Sequence, residues 1–283
     1  MRAWKGRLKR FLRWDNPTAR GWRHALRRLP KAYSRWNWAW RVDMGLRYEP
    51  LLSAIDSQGL GDARILDVGC GSRGGLASYL RRPTIATIGL DIHFRPEQVT
   101  AQRWMRPVQV SGTAIPLADG TFDLAVCLDT LEHLSAPERP QLLNELFRAV
   151  RDGGWVMVGA PWGMAARQYE EEINRLYRAR TGRDHHMLSE HLEQELLTCE
   201  ALEEAVRAAA SRRFGDYQLR RQGNVNLELW RQLRMLLFLG RPLPGLGAVQ
   251  RFLFRPLFPL LARRHHEPCY RQIFFVNHTE RHG

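Results

Sequence analysis

The sequence predicts an α/β protein organised around a doubly wound, mostly parallel sheet. Three observations carry that prediction. Between residues 64 and 160, short apolar runs alternate with amphipathic stretches of helix length, the pattern of consecutive βαβ units. The first run stops in a glycine-rich turn, "ILDVGCGSRGG" at residues 65–75. Two later runs end beside an acid, Asp91 and Asp129, and ligands of parallel sheets gather at such carboxyl ends.

The elements follow in order. Arg64–Val68 is an apolar run cut off by glycine, a buried strand, and Leu76–Arg82 continues as a helix. Thr84–Leu90 is the second strand, Pro107–Val110 the third and Phe122–Leu128 the fourth. Glu138–Val150 is amphipathic, with Leu142, Leu143, Leu146, Phe147 and Val150 on one side. Asp152-Gly153-Gly154 turns the chain into a fifth strand, Trp155–Gly159. Residues 163–213 read as helical and polar, 216–222 as a sixth strand and Gln272–Asn277 as the last. Residues 223–268 are a long excursion whose apolar clusters are punctuated by Pro242, Pro244, Pro256 and Pro259 and flanked by arginines. It reads either as a substrate lid or as a shallow membrane-docking element. The chain thus divides into a basic, Trp-rich arm (1–50), a core (51–162), a helical cap with return to the sheet (163–222), the amphipathic insertion (223–268) and a final strand with tail (269–283).

The net charge of +14 is unevenly placed. Residues 1–50 carry 14 Lys/Arg against 3 Asp/Glu, and 223–266 carry 7 against 1. Residues 51–222, with 20 against 23, are mildly acidic. Localised positive charge points to a polyanion, an anionic membrane surface or nucleic acid. The first 50 residues hold six of the ten tryptophans, and Trp4, Leu8, Phe11 and Leu12 recur at helical spacing among cations. That suits a helix lying in a membrane interface. It equally suits an arm that packs its tryptophans on the main domain and leaves its arginines solvated. RNA binding through Arg and stacking aromatics comes behind both. The four cysteines form no CxxC pair, so neither a disulfide nor a zinc site is expected, and a reducing cytoplasm is the expected setting. No apolar run reaches 18 residues, so no transmembrane helix is predicted.

Gly69-Cys70-Gly71-Ser72-Arg73-Gly74 reads as GxGxxG, which alone fits any adenosyl or phosphate ligand. Three features oppose a dinucleotide. The glycines continue through Gly75, where a dinucleotide-binding helix would pack. Asp67 lies two residues before the first glycine, where a carboxylate would repel a pyrophosphate. No second half-domain for a nicotinamide is visible after residue 160. A carboxylate suits a phosphate-free cation, and S-adenosyl-L-methionine carries an amine and a sulfonium.

With these residues in view, the series "ILDVGCGSRGG … IGLDI … TAIPLADGTFDLAVCLDTLEHL … RAVRDGGWVMVGAP" resembles the class I S-adenosylmethionine-dependent methyltransferases of the type 11 group, over residues 60–162. The resemblance implies a Rossmann-like, doubly wound, seven-stranded sheet with helical additions. One strand would be antiparallel, a place Gln272–Asn277 would fill. It implies that Asp67, Gly69, Cys70 and Gly71 hold the methionine part, and that Asp91, with Ile92, meets the ribose, a carboxylate offering two acceptors to a vicinal diol. Ser111, Gly112 and Thr113 would lie at the adenine, with Leu128 beside the cofactor. Two departures stand out: Arg73 replaces a third turn glycine, and Ser111 replaces an adenine-contacting Asp.

Methyl transfer needs an aligned nucleophile and, for a hydroxyl acceptor, a proton acceptor. "CLDTLEHL" puts Asp129, Glu132 and His133 at the end of the fourth strand, beside the expected methyl group. His133 is the foremost candidate base because its pKa lies near neutrality, against a reading in which it is structural and catalysis is by proximity. "GRDHHMLSEHLEQ" offers His185, His186, Glu190 and His191. A metal is weighed there and set aside in favour of a substrate cap, so no metal site is expected. The stretch also resembles, more weakly, a segment of some glycan-cluster methyltransferases. The expected function is O-methylation of a small or lipid-linked acceptor (glycan, lipid or quinone-like), in the cytoplasm or peripheral at the inner face of the membrane. An RNA methyltransferase and a non-catalytic binding protein are the alternatives.

Overall fold

The computed structural model describes residues 41–71, 74–80, 86–93, 105–194, 196–235, 254–263 and 265–279. Helix α1 (Val42–Ser57) leads into β1 (Arg64–Val68), a 3₁₀ turn (Gly75–Ser78), β2 (Ala86–Asp91), β3 (Met105–Gln109) and β4 (Phe122–Leu128). A 3₁₀ turn (Leu131–His133), α2 (Glu138–Ala149) and β5 (Val150–Pro161) follow. Then come α3 (Gly163–Thr181), α4 (His186–Glu193), α5 (Cys199–Phe214), β6 (Tyr217–Asn226), α6 (Leu227–Arg234), α7 (Arg255–Leu261) and β7 (Cys269–His278). The seven strands form one sheet in the order β3-β2-β1-β4-β5-β7-β6. β7 runs antiparallel to both of its neighbours, and the other ladders are parallel.

β1, β4 and the second half of β5 are mainly apolar because both faces of the sheet are covered there. On one face Leu66, Val68, Ala125, Cys127, Val156, Val158, Phe274 and Val276 pack with residues of α2 and α5. On the other, Ile65, Leu124, Val126, Leu128, Met157, Ile273 and Phe275 pack with Tyr48, Leu51, Leu52 and Ile55 of α1. Burying each of these leucine or isoleucine side chains contributes about 1.5–3 kcal/mol. α1 runs without a break across the boundary placed at residue 50 by charge, so residues 42–50 belong to the body.

Three local expectations change. The helix expected over Leu76–Arg82 is replaced, within the described residues, by the 3₁₀ turn at Gly75–Ser78. Gly74 and Gly75 are both left-handed (φ 83° and 45°), outside the α-helical region, and the Asp67 carboxylate caps the Leu76 N–H at the head of the short turn. β5 begins at Val150, not Trp155, because Asp152-Gly153-Gly154 is absorbed into the strand as an irregularity where the β4 register shifts between Phe122 and Leu124. β3 begins at Met105 and tolerates Pro107 because it is the sheet edge. Of the 1–50 arm, residues 1–40 lie outside the described residues, as do 236–253 of the insertion.

Candidate active site

Val68 at the end of β1 lies opposite Leu90 of β2 and Cys127 of β4, so three strands deliver their carboxyl ends to one edge. There the chain turns through Gly69 and Gly71, both left-handed (φ 74° and 67°). The N–H groups of Gly69 and Cys70 both donate to the Leu90 carbonyl, at 2.8 and 3.2 Å. A Cβ on Gly69 would come within 2.0 Å of Thr130 Oγ1, whereas one on Gly71 would meet none of the described residues within 4 Å. Among the described residues the turn is therefore closed on the Gly69 side and open in front of Gly71. Cys70 sits behind it, its thiol donating to Leu90 O at 3.5 Å, and burial pushes the thiol far above its ordinary range.

Two carboxylates fix this turn. Asp67 is buried, and its Oδ2 accepts the Leu76 N–H at 2.8 Å. Burial pushes Asp67 up to about 7, against the opposing pull of that hydrogen bond and of Arg47. Asp91 accepts the Gly71 N–H through Oδ2 at 2.8 Å and the His93 N–H through Oδ1 at 2.7 Å. The second-strand acid thus clips the glycine turn in place while remaining half-exposed at the edge. Ile92 beside it is exposed, and its carbonyl accepts from Gln109 Nε2 at 3.0 Å. Ser111 and Thr113 share a hydroxyl–hydroxyl hydrogen bond of 2.8 Å. Gly112 is held so close to Val68 that a Cβ would lie 2.7 Å from its Cγ1. Leu128 differs from the rest: its side chain is in the core, and its carbonyl accepts from the Arg47 guanidinium. An edge lined by acids whose turn N–H groups are already taken within the protein, with no described residue close in front of Gly71, fits a phosphate-free cationic nucleoside.

The end of β4 carries the second half of the site. Asp129 is left-handed (φ 53°) although it is not glycine, and its N–H donates to the Gly159 carbonyl at 2.9 Å. Arg271 grips it through two hydrogen bonds of 2.9 and 2.7 Å, and Arg47 Nε lies 3.2 Å from Oδ2. Despite burial, the two guanidiniums hold its carboxyl below the usual range. Glu132 is only 3% exposed and neither of its oxygens accepts a hydrogen bond from the described residues. Burial, reinforced by the Asp129 charge, pushes it up to about 8.

His133 Nδ1 lies 3.0 Å from Glu190 Oε2, and its Nε2 lies 3.1 Å from His191 Nε2. His191 Nδ1 in turn lies 3.0 Å from Glu170 Oε1, which also accepts the Tyr270 hydroxyl at 2.5 Å. Burial and the neighbouring His191 hold His133 below the usual imidazole range. Burial acts the same way on His191, but the bond to Glu170 and the Glu132 charge overcome it and raise that ring.

Residues 66–158 match the family model described as a methyltransferase domain. Uncharacterized methyltransferases of two Mycobacterium sp. strains, JLS and KMS, are each 35% identical over 99 residues, covering 33% of this chain and 37% of theirs. The chain therefore spans little more than a third of the length of these relatives. A solved S-adenosylmethionine-dependent methyltransferase of Thermotoga maritima aligns with 90% of this chain and 99% of its own, at 17% identity and a TM-score of 0.50, a likeness of fold. Over residues 66–158 the chain is thus similar to methyltransferase domains, and its fold is like that of the solved methyltransferase.

Within the matched region, Asp67, Gly69, Gly71, Asp91 and the 111–113 turn converge on the carboxyl edge around the glycine turn. Glu132 and His133 lie with His191 in a second cluster. Two expectations change in kind. Asp129 is fully engaged by Arg47 and Arg271, which opposes its use as a base. Both ring nitrogens of His133 already have protein partners. In the histidine-rich segment, His186 and Glu190 do meet, Nδ1 to Oε1 at 3.1 Å, but the inward member is His191. Sequence reading missed Arg47, which it assigned to the basic arm, and Glu170, Tyr270 and Arg271. The last left a signal. In "CYRQIFFV" one arginine interrupts an apolar strand, and a charge fully buried in a sheet needs a partner.

Proposed function

We propose that the protein transfers the methyl group of S-adenosyl-L-methionine to an oxygen of a small or lipid-linked acceptor, of glycan, lipid or quinone-like chemistry. The observation that carries this reading is the glycine turn clipped by Asp91 over buried Asp67, an edge that attracts a cation and repels a pyrophosphate. Asp67, Gly69 and Gly71 would hold the methionine part, Asp91 the ribose, and Ser111 to Thr113 the adenine side. When bound, the cofactor would supply an electrophilic methyl carbon on a sulfonium, to which the acceptor oxygen would bond as the carbon–sulfur bond breaks with its electron pair going to sulfur. The acceptor proton must be drawn off at the end of β4, where the Glu132–His133–His191 cluster lies. The Arg47–Asp129–Arg271 group positions that loop.

A lipid-linked acceptor is supported by two basic segments, 1–50 and 223–266, the second of which exposes Leu257 and Leu260 on α7. The reading places the protein in the cytoplasm, peripheral at the inner face of a membrane. No helix among the described residues is long and apolar enough to cross one. The test pairs calorimetry against S-adenosylmethionine and NADH with labelled-methyl transfer into lipid, glycan and RNA fractions. Uptake of the sulfonium compound with label in lipid or glycan is expected. Label confined to RNA moves the acceptor to nucleic acid, and tight NADH binding alone ends the proposal.

A further inference from the structure

The geometry points to a divalent transition-metal site formed by Glu132, His133 Nε2 and His191 Nε2. The donor atoms of these three residues lie within 4.8 Å of one another. Glu132 and His133 are neighbours in the turn after β4, and the fold brings His191 to them from helix α4. The two Nε2 atoms are 3.1 Å apart. Neighbouring donors on a zinc-sized ion are separated by about 3.0–3.4 Å, given metal–nitrogen bonds of about 2.0–2.1 Å.

The rings are turned for this purpose by carboxylates behind them. Glu190 meets Nδ1 of His133 and Glu170 meets Nδ1 of His191, each at 3.0 Å. A carboxylate on the far nitrogen keeps the ring proton there and aims the Nε2 lone pair forward, the outer-shell arrangement of metal-ligating histidines. Two lone pairs so aimed repel unless a positive centre lies between them. A shared proton would satisfy the imidazoles alone. It would leave Glu132 as it stands, buried at 3% exposure with neither oxygen hydrogen-bonded to another described residue, and Oε1 4.0 Å from His191 Nε2. An ion satisfies all three groups after Glu132 advances by roughly 1 Å, the gap left by an ordinary metal–ligand geometry. Two imidazoles and one carboxylate with open positions suit zinc, manganese or iron(II), and disfavour magnesium and calcium.

The site's existence does not depend on the function proposed above; its use in catalysis rests on that reading. At the end of β4 the open coordination positions would take the acceptor hydroxyl and lower its pKa, its proton passing to solvent. The full-length protein, stripped with a chelator, is titrated with Zn²⁺ and Mn²⁺ in a calorimeter and with Co²⁺ by visible absorption, alone and with S-adenosylmethionine. One equivalent of transition ion is expected, with imidazole NMR shifts on Nε2 and not Nδ1. Binding is lost in His191→Ala and Glu132→Gln, and weakened by about 10–100-fold in Glu190→Gln. S-adenosylmethionine affinity in the same variants shows that the fold is intact, and its loss in the parent protein would instead count against the methyl-transfer reading. No ion bound by the parent protein, or unchanged binding in His191→Ala, overturns the site and leaves a hydrogen-bonded histidine pair only.

Discussion

Gly69 and Gly71 share a left-handed backbone but answer to different constraints, and substitutions separate them. Gly71→Ala meets open space, so its cost is the backbone strain of about 1–2 kcal/mol. Gly69→Ala adds a collision with Thr130. It should lower thermal stability further and abolish S-adenosylmethionine binding, while Gly69→Ala with Thr130→Gly recovers part of the stability. Asp67 gives a pH signature. Burial holds it near 7 in the free protein, and a bound cation favours its ionised form, so binding expels a proton when the pH is below 7. Affinity should therefore fall about tenfold per pH unit below 7 and level off above it. Calorimetry between pH 5.5 and 8.5 checks this, with Asp67→Asn weak and flat across the range. These residues were legible in the sequence because their roles come from backbone geometry and short spacing. Arg47 and Arg271 were not, because their shared partner, Asp129, is distant along the chain and only the sheet brings them together.

At the scale of elements, β7 delivers Arg271 to the loop after β4, and α1 delivers Arg47 to the same place. Removing one cation from a buried group leaves its partner uncompensated, which costs about 3–5 kcal/mol. Arg271→Met should show that loss in urea unfolding, and Arg271→Met with Asp129→Asn should regain part of it, since Asn also tolerates the left-handed backbone. The strands and the amphipathic α2 could be read from periodicity because burial dictates it. The 3₁₀ turn at Gly75–Ser78, in place of a helix among the described residues, could not. There two left-handed glycines hold the chain out of the helical region before Leu76, and the sign of a glycine's φ leaves no periodic trace.

Across the whole molecule, charge is sorted. The parallel core is embedded in a stretch that is slightly acidic, while the excess of Lys and Arg falls in residues 1–50 and 223–266. Binding to anionic vesicles should thus weaken steeply between 50 and 300 mM salt and fade when residues 1–40 are removed, as cosedimentation would report. The strand number and the antiparallel strand were legible only through resemblance, and the order not at all, because periodicity does not say which strands are neighbours. That order has a consequence for how the chain is made. The slot between β5 and β6 is filled by the strand that leaves the ribosome after both of them. Until Cys269–His278 is available, the nascent protein carries two bare strand edges and an Asp129 lacking its strongest cation, so its most aggregation-prone moment comes just before synthesis reaches that segment.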